Sequence, residues 1–161
     1  MSLLNDLPQF SGSSSFGGIS VSPVGTSQVV QGLQYYIDFI NILEGVKTRI
    51  KNMHWDSKKI ANSDKRGVHL YLDDLLGVIG DFQDTIAESS QGIYGSMNLD
   101  SVSGVQFIAS TPKELVAYIQ DKTALFYAGL PQTTSCAGIK SETEVLIKDL
   151  QKYQFLFSLT E

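Results

Sequence analysis

A chain of 161 residues is long enough for one domain with a buried core. Apolar residues make up 42% and charged residues 18%, and no apolar run approaches the about 18 residues of a membrane-spanning helix, so no membrane protein is expected. The 17 acidic and 12 basic side chains give a net charge of −5, and no Lys or Arg precedes Lys47, which excludes a basic N-terminal arm gripping nucleic acid through its phosphates.

Cys136 is the only cysteine, so the chain offers neither an intrachain disulfide nor a thiolate metal cluster. Its first residues lack the basic start and apolar core of a secretory signal. Both points fit a reducing, cytoplasmic setting. Within residues 1–26 the stretch "PQFSGSSSFGGISVSPVGT" is dominated by Gly and Ser and has no apolar period, so it reads as a flexible or extended arm. Phe10, Phe16, Ile19 and Val21 suit it to docking on a neighbouring surface.

Residues 27–161 read as one helical domain. Val29, Val30, Leu33, Ile37, Ile40, Leu43, Val46, Ile50 and Met53 recur at steps of three and four, which predicts a helix over 27–55 with Ser27 at its N-cap. The polar stretch "DSKKIANSDKRG" turns the chain into a second helix over 66–90. A long connection follows, marked by Gly92, Gly95 and Gly104, with room for a short helix. Thr111, Pro112 and Glu114 spell a capping box with Pro at the first helical position, starting a third helix that ends near Ala128. Ser141 and Glu144 repeat the capping spacing near the start of a fourth, whose apolar face is Val145, Leu146, Leu150, Tyr153, Leu156 and Leu159. The short first and third connections and the long middle one suggest an all-α, four-helix bundle with a crossover between helices 2 and 3, the ferritin-like arrangement.

The second helix carries the chemistry. With His69 as zero on a wheel of about 100° per residue, Asp73 falls near 40°, Asp84 near 60° and Glu88 near 100°. All four share one side, yet His69 and Asp73 stand roughly 22 Å along the axis from Asp84 and Glu88. No ion with bonds of about 2 Å spans that gap. A second copy running antiparallel, related by a two-fold axis near Val78 and Ile79, brings His69 and Asp73 of one chain to Asp84 and Glu88 of the other and makes two identical sites. Gly77 and Gly80 lie on the same arc beside that axis and allow close approach, at a cost of about 1 kcal/mol each in helix stability relative to Ala. His54, the other histidine, ends the first helix and can return beside His69. The candidate metal and catalytic residues are therefore His54, His69, Asp73, Asp84 and Glu88, an imidazole and carboxylate set suited to Fe(II), Mn or Zn.

The segments "HW" at 54–55, "HLYLDD" at 69–74 and "DTIAE" at 84–88 resemble the Dps family, the mini-ferritins named for DNA protection during starvation. The steps from His69 to Asp73, Asp84 and Glu88 agree with that family's ferroxidase pattern, and the ending "YQFLFSL" is a weaker echo of its last helix. The resemblance implies a four-helix subunit assembling into a hollow dodecamer of two-fold dimers. Fe(II) would be oxidised at intersubunit sites, often with hydrogen peroxide, and ferric iron stored inside, limiting radical chemistry under oxidative stress. The chain departs from the pattern in four places. The His54–His69 spacing is three residues longer, Val78 stands where family members commonly have Trp, Ser89 follows the last glutamate in place of an Arg, and the basic tail is absent.

A plainer reading remains beside this one. His54 serves equally as a helix C-terminal residue on the last carbonyls, and helical carboxylates are usually a solvated face. The chain would then be a structural or interaction protein on a mini-ferritin scaffold. Asp74 and Asp81 read as solvated or as salt-bridge partners, and Trp55 as a packing residue. The absence of any Glu-x-x-His pair argues against a di-iron centre inside one bundle. No GxSxG elbow or Walker loop is present to support hydrolase or nucleotide chemistry.

Overall fold

The computed structural model describes residues 26–61 and 63–161, with side chains from residue 32 onward in the first helix. It is all-helical over these residues: α1 (Thr26–Trp55), α2 (Lys65–Tyr94), α3 (Pro112–Gly129) and α4 (Ala137–Ser158), with single 3-10 turns at Ser57–Lys59 and Thr134–Cys136. The arm expected over 1–26 lies outside the described residues except for Thr26, which already belongs to α1.

Contacts at both ends fix the helix directions. An added Cβ on Gly32 would touch the Tyr94 ring, and the His54 ring stacks on His69 at the other end, so α1 and α2 run antiparallel. Arg49 Nε donates to Ala109 O at 3.0 Å just before α3, and Tyr35 OH donates to Phe126 O at 2.6 Å near its far end, so α3 also opposes α1. α4 returns beside α2, where Asp64 N donates to Thr160 O at 3.1 Å and the Tyr71 and Phe157 rings lie 6.0 Å apart. The core between them holds Leu43, Val46, Ile50, Leu72, Leu75, Ile79, Leu115, Ile119 and Leu150, all nearly or fully excluded from solvent. Burial of each such side chain is worth about 1.5–3 kcal/mol, which is why period rather than propensity decides these helices.

Helix boundaries depart from the sequence reading where tertiary contacts outweigh local signals. α2 runs one turn further, to Tyr94, because Gln91 Nε2 bonds Ala87 O and Tyr94 packs near Tyr36; Gly95, at φ +93°, then ends it. The Thr111 capping box forms as read, with its side chain accepting from Glu114 N and the Glu114 carboxylate accepting from Thr111 N. The Ser141–Glu144 box does not. α4 already begins at Ala137, because Ile139 is buried and Thr143 Oγ1 bonds its carbonyl, while Glu144 accepts from Tyr127 OH at 2.6 Å. Val145 and Leu159, expected on the apolar face, are half or more exposed; Ile139, Thr143 and Phe157 point inward in their place. The connection 95–111 contains no helix. It lies along α1, with Val105 N donating to Asn41 O at 3.0 Å and Ser103 N to Asn41 Oδ1 at 3.0 Å.

Candidate metal centre

Two histidines meet where α1 ends and α2 begins. Ile50 and Met53, both buried, seat the last turns of α1, and Val68 and Leu72 seat the first turns of α2. These anchors leave His54 and His69 turned to the surface between the helices. Their Nε2 atoms are 3.1 Å apart, with ring centroids 3.9 Å apart and planes inclined by 23°. Between them the chain passes through the 3-10 turn at Ser57–Lys59 to Asp64, whose side chain caps α2 by accepting from Gly67 N at 2.9 Å.

Two neutral imidazoles cannot present lone pairs to each other at this distance. One ring donating to the other, or an ion shared by both, would satisfy the two nitrogens, whereas stacking alone leaves their lone pairs side by side. Two imidazoles side by side on one ion, with bonds of about 2.1 Å, bring their nitrogens to about 3.0–3.4 Å. The observed separation falls in that range, but rings inclined by 23° with centroids 3.9 Å apart lie nearly face to face, so their lone pairs do not converge, and both rings must turn substantially before they could share one ion. Asp73, one turn beyond His69, places Oδ1 4.0 Å from His54 Nε2. His54, His69 and Asp73 are thus gathered at one corner.

Asp84 and Glu88 are exposed further along α2, roughly 22 Å from that corner at 1.5 Å per residue. A Cβ at Gly77 or Gly80 would meet none of the described residues within 4 Å, so the helix face between the two groups is open at both glycines. Among the described residues of one chain, no three His, Cys, Asp or Glu side chains converge to hold a metal ion. A single subunit therefore carries His54, His69 and Asp73 near one end of this face and Asp84 and Glu88 near the other, and neither group by itself is a metal site.

Beside the open face lies a polar cluster that the sequence reading missed. Lys47 Nζ donates to Glu44 Oε2 at 3.0 Å and to Gln83 Oε1 at 2.7 Å, while Gln83 Nε2 donates to Ile40 O at 3.2 Å. Burial opposes the charged form of Glu44, but hydrogen bonds from Lys47 and Gln83 and the Lys47 and Lys51 charges outweigh it, holding the carboxyl below its usual range. The available signal was Gln83 itself, a polar residue on the buried stripe with Ile79 and Ile86. Asp81, read as solvated, is exposed on the rim of a groove of about 180 Å³ between α2 and α4 that is floored by Val78 and Phe82. Trp55 does not take the packing role expected of it, being 72% exposed in the single subunit. Cys136 is buried, with the hydroxyls of Tyr36 and Tyr94 at 3.8 and 3.7 Å from its sulfur.

Protein-family models, curated proteins and solved structures give no match to this chain. No helix among the described residues is long and apolar enough to cross a membrane.

Proposed function

We propose that the protein is a Dps-like ferroxidase and iron-storage protein, working in the cytoplasm. The observation that carries this reading is the meeting of His54 and His69 at 3.1 Å with Asp73 beside them, at one end of a helix face left open by Gly77 and Gly80. Helix directions in which α2 and α3 both oppose α1 support reading the bundle as ferritin-like with a crossover, as does the path of the connection 95–111 along α1. In an antiparallel pair of subunits, His54, His69 and Asp73 of one would face Asp84 and Glu88 of the other, twice over.

Fe(II) is the substrate. The imidazoles hold it as neutral donors, and the three carboxylates favour the added charge of Fe(III). With hydrogen peroxide as oxidant, two Fe(II) each give one electron. The O–O bond breaks, and two protons complete two waters. Zn and Mn suit the same donors as substitutes. A hollow dodecamer built from such pairs would keep the ferric product in solution.

The decisive test is complementation. His69→Ala and Asp84→Asn each damage both sites of a homodimer, so each variant alone should oxidise Fe(II) slowly. In a mixed dimer, one site carries both lesions and the other carries neither. Equal mixing with free subunit exchange restores about a quarter of all sites by symmetry. Recovery near that fraction, read as ferric absorbance after Fe(II) and peroxide, supports intersubunit sites; wild-type oxidation no faster than a protein-free control refutes the ferroxidase. The alternative is a structural or interaction protein on the same scaffold. It is favoured by the stacking of His54 on His69, which already gives each ring a partner, and it gains ground if the protein assembles without oxidising iron.

A further inference from the structure

We infer that the groove between α2 and α4 binds a linear aliphatic polyamine, with its ammonium groups on three carboxylates and its methylenes on an apolar floor. The groove encloses about 180 Å³, less than the about 300–1,000 Å³ of a drug-sized pocket, so its occupant is small or slender. Val78, Phe82 and Leu146 form the floor, and the half-exposed Val145 forms a wall. Asp81, Glu142 and Asp149 are the charged residues that line it, and no Lys or Arg among the described residues pairs with any of them. The Thr85 hydroxyl, the other polar group there, already donates to Asp81 O at 2.9 Å. An apolar trough edged by unpaired carboxylates suits a cation with a hydrocarbon body, as a lysine stem lies along apolar surface while its ammonium meets a polar partner.

The spacing of the carboxylates narrows the class. α2 and α4 run antiparallel, with Asp64 beside Thr160 and Tyr71 beside Phe157. Continuing that register sets Val78 opposite Asp149 and Thr85 opposite Glu142. At 1.5 Å per residue, Glu142 then stands about 10 Å along the groove from Asp149, and Asp81 stands about 4.5 Å from the Asp149 end. The two gaps are unequal, about 4.5 and about 6 Å. An extended methylene chain with bonds of about 1.5 Å advances about 1.25 Å per bond, so three methylenes between nitrogens span about 5 Å and four span about 6 Å. A triamine with those two linkers matches both gaps. One metal ion, with bonds of about 2 Å, cannot serve both ends.

The chain's own first residues are a poor occupant, because no Lys or Arg precedes Lys47. The groove also lies to one side of the proposed iron site. On the wheel with His69 at zero, Thr85, Val78 and Phe82 fall near 160°, 180° and 220°, outside the arc of about 100° that holds the donors, and Asp81, near 120°, borders it. Binding there is independent of iron oxidation.

The test is calorimetric titration of the full chain with spermidine, the triamine with three- and four-methylene linkers, at about 0.1 M salt. One saturable site per chain is expected. Asp81→Asn and Glu142→Gln should each weaken it about fivefold, the upper value for one exposed ion pair. Asp121→Asn makes the same charge change at an exposed position on α3 and should leave binding unchanged. Val145→Lys places the chain's own ammonium at the groove wall and should abolish binding; it also serves should an acid variant fail to fold. The absence of a saturable site overturns the polyamine assignment. So does unchanged binding in the groove variants, or equal weakening by Asp121→Asn, which would reduce the attraction to net charge. Displacement of spermidine by Mg²⁺ at equal concentration would make the groove a divalent-cation site, and tighter binding of a short lysine peptide would make it a protein-docking groove. Either result overturns the assignment as well.

Discussion

Two glycines in neighbouring helices should respond to the same substitution in opposite directions. Gly45 lies mid-α1, where the connection 95–111 crosses closest. A Cβ there would stand 2.8 Å from Val105 N and 2.9 Å from Val105 C, and nearer still to the carbonyl oxygen. Contact at about 3.5 Å or more then requires the connection to retreat from α1. That strains three bonds to Asn41: Val105 N to its carbonyl at 3.0 Å, and Ser103 N and Gly104 N to its Oδ1 at 3.0 and 3.4 Å. Overpacking of this kind costs about 1–3 kcal/mol, and each weakened bond about 1 kcal/mol. Better helix propensity returns about 1 kcal/mol, so Gly45→Ala should destabilise by about 2 kcal/mol. For a domain of this size that is a fall of about 4–8 °C in melting temperature. Gly77→Ala meets nothing within 4 Å and should gain about 1 kcal/mol in the isolated subunit while weakening pairing across α2. The assay is urea unfolding followed by circular dichroism, at dilutions where the midpoint no longer depends on protein concentration. A Gly45→Ala midpoint at or above the wild type would refute the packing of the connection on α1.

Acid should weaken the α1–α2 interface through Glu44. Its carboxyl titrates lower in the folded chain than its ordinary value of 4.5, so its contribution is present above that pH and is lost as pH falls through 4.5 and below. Melting temperatures recorded between about pH 6 and pH 3 should fall less steeply in Glu44→Gln than in the wild type; equal slopes would remove Glu44 from the account. Thr123 is fully buried in α3, and its hydroxyl oxygen has no hydrogen-bond partner among the described residues. Thr123→Val keeps the shape and removes the stranded hydroxyl, so the urea midpoint should rise by the equivalent of about 1 kcal/mol. A loss of stability would mean that the hydroxyl is satisfied in solution.

The helices were legible because apolar residues at steps of three and four leave few alternatives. Ile40, Leu43, Val46, Ile50 and Met53 all became core as read. Misreadings arose where a local signal competed with packing. The fourth helix reads from the sequence as starting near Ser141, yet buried Ile139 draws Ala137 and Gly138 into α4 as well. The capping spacing at Ser141 and Glu144 is real in sequence, but it lies inside a helix already begun. Val145 and Leu159 fit an apolar period drawn too wide. The path of the connection was not legible at all, since it depends on Gly45 and Asn41, about sixty residues away in sequence. At the site, the wheel placed Asp73, Gly77, Gly80, Asp84 and Glu88 on the open face of α2. The return of His54 beside His69 was read from its place at the end of the first helix, and the rings do meet there, but the turn between the helices sets their mutual distance and angle.

With His69 and Asp73 at one end of α2, beside His54 of α1, and Asp84 and Glu88 at the other, assembly and chemistry are linked under the proposed function. Neither set suffices alone, so a lone subunit should not commit iron to oxidation, and any ion that fills a joint site stabilises the pair by mass action. The arrangement also demands an accurate register. A slip of one turn along the antiparallel helix moves every donor by about 5.4 Å, more than twice a metal–ligand bond, and breaks both sites together. Gly77 and Gly80, on either side of the expected axis, tie the closest approach of two helices to that register, because close packing is possible only where the glycines meet. A larger residue at either position would hold the helices apart near the usual spacing of about 8–10 Å and leave His54, His69 and Asp73 too far from Asp84 and Glu88. The glycines that lower the stability of α2 in one chain are therefore the residues through which the pairing of two chains would control the chemistry.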